Sequence, residues 1–125
     1  MKKTLLLMFV LAIPLLCMAE AVQSADADSV VALPRLIDLG SGSCVPCKMM
    51  MPVLDALRSD FAGQIEVVYI DVKENRAEAQ AYNIRVIPTQ VYVSASGEEL
   101  WRHEGFMARG DIVERMRELG MLPPE

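Results

Sequence analysis

Two cysteines lie two residues apart in Cys44-Val45-Pro46-Cys47, and they are the residues of this 125-residue chain best suited to chemistry. A thiolate attacks disulfides, and a second thiol one helical turn away can displace it from the mixed disulfide it forms. Met50, Val53, Leu54, Leu57 and Phe61 recur at helical spacing, which predicts a helix from about Cys44 to Phe61. Cys44 would then sit at a helix N-terminus, where unpaired N–H groups and the helix dipole favour an anion and lower a thiol pKa. Pro46 fits the first turn of such a helix, and Pro52 inside it should kink it.

Other uses of the pair fit less well. A structural staple closing so short a loop restrains little of the unfolded chain. A zinc site takes four ligands, against two cysteines and His103 outside the leader. Covalent haem attachment wants His after the second cysteine, where Lys48 stands. No metal and no cofactor are therefore expected. Met49-Met50-Met51 is read as core and rim packing, since adjacent residues on a helix point different ways.

The elements that must position the pair can be read outward from it. Leu36 to Leu39 is a short apolar run containing Asp38, closed by Gly40-Ser41-Gly42-Ser43, and predicts a buried strand and a loop. Ile65 to Ile70 is a nearly continuous β-rich run, as for a strand covered on both faces. Asn75-Arg76-Ala77-Glu78 resembles a capping box, with a helix to about Tyr82 and Asn83 in the left-handed position after it. Gln90 to Ser94 and Glu98 to His103 predict a hairpin turning at Ser96-Gly97. Lone His103 is expected on the hairpin surface, and Trp101 against the last helix. That helix is predicted over Asp111 to Leu119, with Ile112, Val113, Met116 and Leu119 on one face. The order β-α-β-α-β-β-α predicts an α/β domain over 35–122, with a right-handed parallel crossover first and an antiparallel pair last.

The start of the chain reads as an export signal. Lys2 and Lys3 precede an apolar run from Thr4 to Met18, and Ala19-Glu20-Ala21 fits a small-x-small cleavage site. A signal peptide over 1–21 is expected, cut after Ala21 or alternatively after Ala25. Residues 22–34 would be a flexible mature N-terminus. Leu16 stands where a lipobox wants a small residue, so Cys17 is read as part of the leader; an uncleaved membrane tether is the alternative. Losing Lys2, Lys3 and Glu20 takes the net charge from −5 to −6. So acidic a domain argues against nucleic-acid binding.

A CxxC beside a βαβ pattern is a thioredoxin-type redox signature. The stretch from Asp38 through Cys44-Val45-Pro46-Cys47-Lys48 resembles the active-site region of the thioredoxin family. So do Pro52, at the family's helix-kink position, Ile87-Pro88-Thr89, at its cis-proline segment, and Gly105 late in the sheet. The resemblance spans Leu36 to Leu119. It implies a thioredoxin-like fold, a central mixed sheet flanked by helices, with the N-terminal strand and helix shortened. It implies a redox-active Cys44–Cys47 disulfide, with Cys44 as nucleophile and Cys47 as resolving thiol. Asp38 would be a buried acid, its pKa raised by desolvation, exchanging a proton with Cys47 through water. Val45, Pro46, Ile87 and cis Pro88 would touch the substrate, with Ile87 backbone groups beside Cys44. Residues 104–107 would lie near the same face.

The chain also departs from the family. Ser43 replaces the usual tryptophan before the first cysteine, Val45 replaces a glycine, and Val67 takes the place of a lysine beside the buried aspartate. Taken together, these readings predict a monomeric extracytoplasmic or periplasmic protein-disulfide reductase. Its substrates would be disulfide-containing proteins, apocytochromes in cytochrome c maturation among them, and a membrane thiol electron transporter would re-reduce it. An oxidase or isomerase on the same residues is the first alternative. A binding or chaperone module on the same scaffold is the second.

Overall fold

The computed structural model describes residues 31–125. The expected leader over 1–21, Cys17 and residues 22–30 lie outside that range. The described chain runs β1 (Arg35–Gly40), α1 (Val45–Asp60), β2 (Glu66–Asp71), α2 (Arg76–Ala81), β3 (Thr89–Val93), β4 (Glu99–Glu104) and α3 (Arg109–Glu118). This is the order read from the sequence.

The strands form one sheet in the order β2-β1-β3-β4. β1 and β2 are parallel across the α1 crossover, while β1–β3 and β3–β4 are antiparallel. Successive side chains of a strand face opposite ways, so β1 feeds two cores. Leu36 packs with Met50, Leu54 and Leu57 of α1, Tyr92 of β3, and Ile112, Val113 and Met116 of α3. Ile37 and Leu39 pack on the other face with Ile70, Val91, Val93 and Ala79 of α2. The result is a three-layer α/β arrangement. Asp38 and Gly40 share the Leu36 face, on the side covered by α1 and α3.

Three local readings are corrected. Asn75 makes no side-chain cap hydrogen bond, so there is no capping box. Asp71 organises that turn instead: its carboxylate accepts from Lys73 N at 2.9 Å and Glu74 N at 3.3 Å, and its carbonyl from Asn75 N at 2.8 Å. The last helix begins at Arg109, two residues before the expected start. His103 is half-buried, not a free surface residue, with its ring stacked 6.0 Å from that of Trp101. Trp101 meets the last helix as expected, with the Arg115 guanidinium 4.3 Å from its ring centre. Asn83 takes the left-handed conformation after α2, at φ 48°.

Candidate active site

Cys44 is the N-cap of α1, with extended backbone (φ −92°, ψ 122°), and its sulfur accepts from Cys47 N–H at 3.3 Å. Helix caps use a side-chain acceptor to satisfy the orphan N–H groups of the first turn. Here sulfur takes the place usually held by oxygen, where partial positive charge favours a thiolate. Val45 and Pro46 begin the helix, and proline there forfeits no helical hydrogen bond. The cysteines are joined as a disulfide, with Cα atoms 5.2 Å apart. Cys44 is partly exposed and Cys47 buried, at 1%. Chemistry from outside therefore reaches Cys44 first.

The loop before β3 closes one side of the site. The Ile87–Pro88 peptide is cis, and the Ile87 carbonyl oxygen lies 4.0 Å from Cys44 Sγ. The loop is pinned by Thr89 Oγ1 donating to Val86 O at 2.7 Å, and by Gly105 N donating to Pro88 O at 2.7 Å. The second bond brings residues 104–107 to this face. Gly105 has φ +103°, a conformation that favours glycine. Val86 and Phe106, in these segments, and Val45 and Met49, on α1, are exposed apolar side chains. On the far side, Lys73 Nζ donates to Ser43 Oγ at 2.6 Å, and Gly42 N donates to the Asp71 carboxylate at 3.1 Å. These bonds tie the loop before Cys44 to the turn after β2. Backbone N–H groups of Lys73, Gly42 and Glu74 hold the Asp71 carboxyl below the usual aspartate range, that of Lys73 contributing most.

Beneath the disulfide, Asp38 is fully buried. Desolvation pushes its pKa up to about 6, against the opposing pull of a hydrogen bond from Gln90 and the charge of Arg58. Gly40 lies two residues further along the same face of β1, about 7 Å away. A Cβ on Gly40 would come 3.3 Å from Cys47 Sγ and 3.0 Å from the Tyr69 ring. The acid thus lies on the same face of β1 as Gly40, the residue against which the Cys47 sulfur packs.

The register places the neighbours of the acid on β2. Val67 pairs with Leu36, and the residue of β2 opposite Asp38 is Tyr69. Tyr69 is partly buried and its hydroxyl pKa is raised, first by burial, then by the charges of Asp71 and Asp38. The neighbour of the buried acid on this side is thus an aromatic hydroxyl side chain. A second residue escaped the sequence reading altogether: Gln90, opposite Asp38 in β3, is fully buried and donates from Nε2 to Asp38 Oδ1 at 2.7 Å. Its only sequence signal was a polar residue two places after Pro88, equally compatible with a solvent-facing strand position.

Gly40 gives the first test. Filling its missing side chain with Gly40→Val drives methyl groups into the Tyr69 ring and Cys47. Overpacking of this kind costs about 1–3 kcal/mol, to be read from urea unfolding of the oxidised protein. Unchanged stability would show that Tyr69 swings aside freely.

Among the described residues, no group of three or more His, Cys, Asp or Glu side chains is placed to hold a metal. The residues brought together are a disulfide, one buried acid, one amide and several exposed apolar groups.

Comparisons with known proteins agree with this chemistry. The family model described as Thioredoxin matches residues 19–118. A thioredoxin of Haemophilus influenzae is 39% identical over 75 residues, covering 58% of this chain and 70% of that protein. A thioredoxin of Staphylococcus aureus is 35% identical over 94 residues, covering 74% of this chain and 89% of that one. A solved structure titled "Structure of a malarial protein" superimposes with a TM-score of 0.64 at 17% identity, over 69% of this chain and 96% of its own, a likeness of fold.

Proposed function

The chain belongs to the thioredoxin family and is a thiol–disulfide oxidoreductase, and from that premise we propose that it works as a reductase of protein disulfides outside the cytoplasm. The observation that carries the reductase part of this reading is the buried acid, its pKa pushed up to about 6, on the face of β1 that the Cys47 sulfur packs against. A base of that strength is half-ionised at about pH 6 and mostly ionised at neutral pH, so it can take the Cys47 proton when the resolving thiolate is needed.

The cycle runs in two steps. The Cys44 thiolate attacks a substrate disulfide, forming a Cys44–substrate mixed disulfide and expelling one substrate thiolate, which takes a proton. Asp38 then accepts the Cys47 proton, and the Cys47 thiolate attacks Cys44 Sγ. The Cys44–Cys47 disulfide forms, and the second substrate thiolate leaves and is protonated. Two electrons have passed from the dithiol to the substrate. During the mixed-disulfide stage, Val45, Pro46 and the Ile87-Pro88 segment contact the substrate chain, with the Ile87 carbonyl as a backbone acceptor.

The reducing direction is supported by the likeness to thioredoxins, with Asp38 and Ile87 at the matching positions. Place and partners follow from the leader-like start of the chain. The substrates are disulfide-bonded exported proteins, with apocytochromes as one class. The electrons come from a membrane thiol transporter, because cytosolic reductants do not reach the compartment. The enzyme acts as a monomer.

Cell fractionation with acid quenching and thiol alkylation tests the proposal. The expected result is a chain beginning at Val22 or Asp26 in the extracytoplasmic fraction, with Cys44 and Cys47 mainly reduced. A fully oxidised pair there would make the protein an oxidase. A chain still beginning at Met1 and held in the membrane would make it a tethered enzyme.

A further inference from the structure

The Asp38–Gln90 pair carries an inference that rests on the proton-transfer reading above and deepens it. Both side chains are fully buried, and Gln90 Nε2 donates to Asp38 Oδ1 at 2.7 Å. The other two polar atoms of the pair, Asp38 Oδ2 and Gln90 Oε1, are buried with no hydrogen-bond partner among the described residues. Unpaired buried acceptors are uncommon and ask for a reason.

We infer that Gln90 is the positioning residue of the buried acid: its amide pins Asp38 Oδ1, leaving Oδ2 as the oxygen that takes and gives the proton exchanged with Cys47.

The argument is one of donors and acceptors. An ionised carboxylate only accepts, and a protonated one gains a single O–H donor. A proton on Oδ1 would face the Nε2 donor and break the bond between them, so the proton belongs on Oδ2. Oδ2 makes no bond to the amide, so the proton it carries is left free for exchange. Against the anion the amide's bond is charge-assisted, and such bonds are roughly twice as strong as neutral ones. Gln90 therefore draws the acid back from the strongly proton-retaining state that burial alone would impose.

The rest of the row across the sheet leaves this task to Gln90. Tyr69 flanks Asp38 on β2, and His103 lies opposite Gln90 on β4. The His103 ring is placed instead by stacking on Trp101, with Nε2 3.4 Å from Phe106 O. Arg58 acts on Asp38 only through its charge, its guanidinium being bound to Val67 O and Asp55.

The test is the pH profile of mixed-disulfide resolution, measured by rapid mixing on wild type, Gln90→Leu, Gln90→Met, Asp38→Asn and the Asp38→Asn/Gln90→Leu double variant. Leu and Met preserve bulk and remove both amide functions. Each should move the half-maximal pH for resolution up by about one unit, through loss of one charge-assisted bond. Alkylation of Cys44 should keep its wild-type rate. In the Asp38→Asn background, Gln90→Leu should shift nothing further. A profile unmoved by Gln90→Leu and Gln90→Met, but changed by Asp38→Asn, overturns this inference and leaves the acid's role intact. A profile unmoved by Asp38→Asn overturns the acid's role itself. Should the Gln90 variants fold poorly, wild-type NMR decides: the Gln90 side-chain amide must titrate with the midpoint of the Asp38 carboxyl carbon. An amide signal flat across that midpoint overturns the inference.

Discussion

Cys44→Ser should lower disulfide-reducing activity by roughly a thousandfold or more, since the nucleophile is lost and no neighbouring group can replace it. Cys47→Ser should behave differently. It retains the attacking thiol at the N-terminus of α1 and loses only the resolving one. The protein should then accumulate as a stable mixed disulfide with its substrates through Cys44. The asymmetry follows from position: Cys44 caps the helix and is partly exposed, whereas Cys47 is one turn in and buried. An insulin-reduction assay reads the first effect, and non-reducing gels followed by mass spectrometry read the second. Brief alkylation of the reduced wild type at mildly acidic pH should mark Cys44 well before Cys47. Faster labelling of Cys47, or trapping through Cys47 in Cys44→Ser, would reverse the assignment.

Asp38→Asn should have two effects of opposite character. The first is on stability. The acid's pKa is raised from 3.8 to about 6 by folding, so between those values the native state holds a proton that the unfolded chain has released. Stability from this group is therefore full below pH 4 and is lost as pH rises through about 6. Above that, the buried anion costs about 3 kcal/mol relative to a group without the shift. Asp38→Asn removes the charge and keeps the shape. The oxidised variant should be more stable than wild type by up to about 3 kcal/mol at pH 8, with the advantage shrinking through pH 6 and gone near pH 4. Urea unfolding at the three pH values measures this. A constant difference would place the ionisation elsewhere.

The second effect is kinetic. Attack by Cys44 should proceed at the wild-type rate, because Asp38 lies beneath Cys47 and plays no part in that step. Resolution should slow by roughly a hundredfold near neutral pH, within the usual contribution of a positioned general base. In wild type the resolution rate should rise with pH through about 6 as Asp38 ionises. In the variant that rise should vanish, leaving a dependence set by the Cys47 thiol alone. Equal resolution rates across this range would falsify the proton-transfer role and leave a buried acid without a catalytic task.

The expected gain in stability of the variant follows from what burial costs the acid. A buried carboxylate is an expensive component of a small core, tolerated where its proton is needed. Gly40 fits the same picture: leaving out a side chain there makes room for the Cys47 sulfur and the Tyr69 ring against β1.

Much of this architecture is written in local patterns. Amphipathic spacing marks α1 and α3 because a helix buries one stripe, and the apolar run around Asp38 marks β1 because a central strand is covered on both faces. The pair Cys44/Cys47 and its place at a helix start follow from spacing and from Pro46 alone. With Asp38 and the Ile87-Pro88-Thr89 segment they identify the family, because those residue types at those separations serve one chemistry. Asn75 does not cap α2 because Asp71, just upstream, organises the same turn, its carboxylate accepting several hydrogen bonds.

What the sequence alone could not determine is register across the sheet. β2 is apolar between Glu66 and Asp71, so its pattern has no period by which to align it with β1. In the folded sheet Tyr69 stands opposite Asp38. Gln90 shows the same limit from the other side. A polar residue in a strand reads as solvent-facing unless its cross-strand partner is known, and that partner, Asp38, lies 52 residues away. Thiol chemistry was legible because its two atoms are three residues apart. The environment of the acid was not, because it is assembled from three strands whose alignment is fixed by packing and hydrogen-bond register, quantities that exist only once the chain has folded.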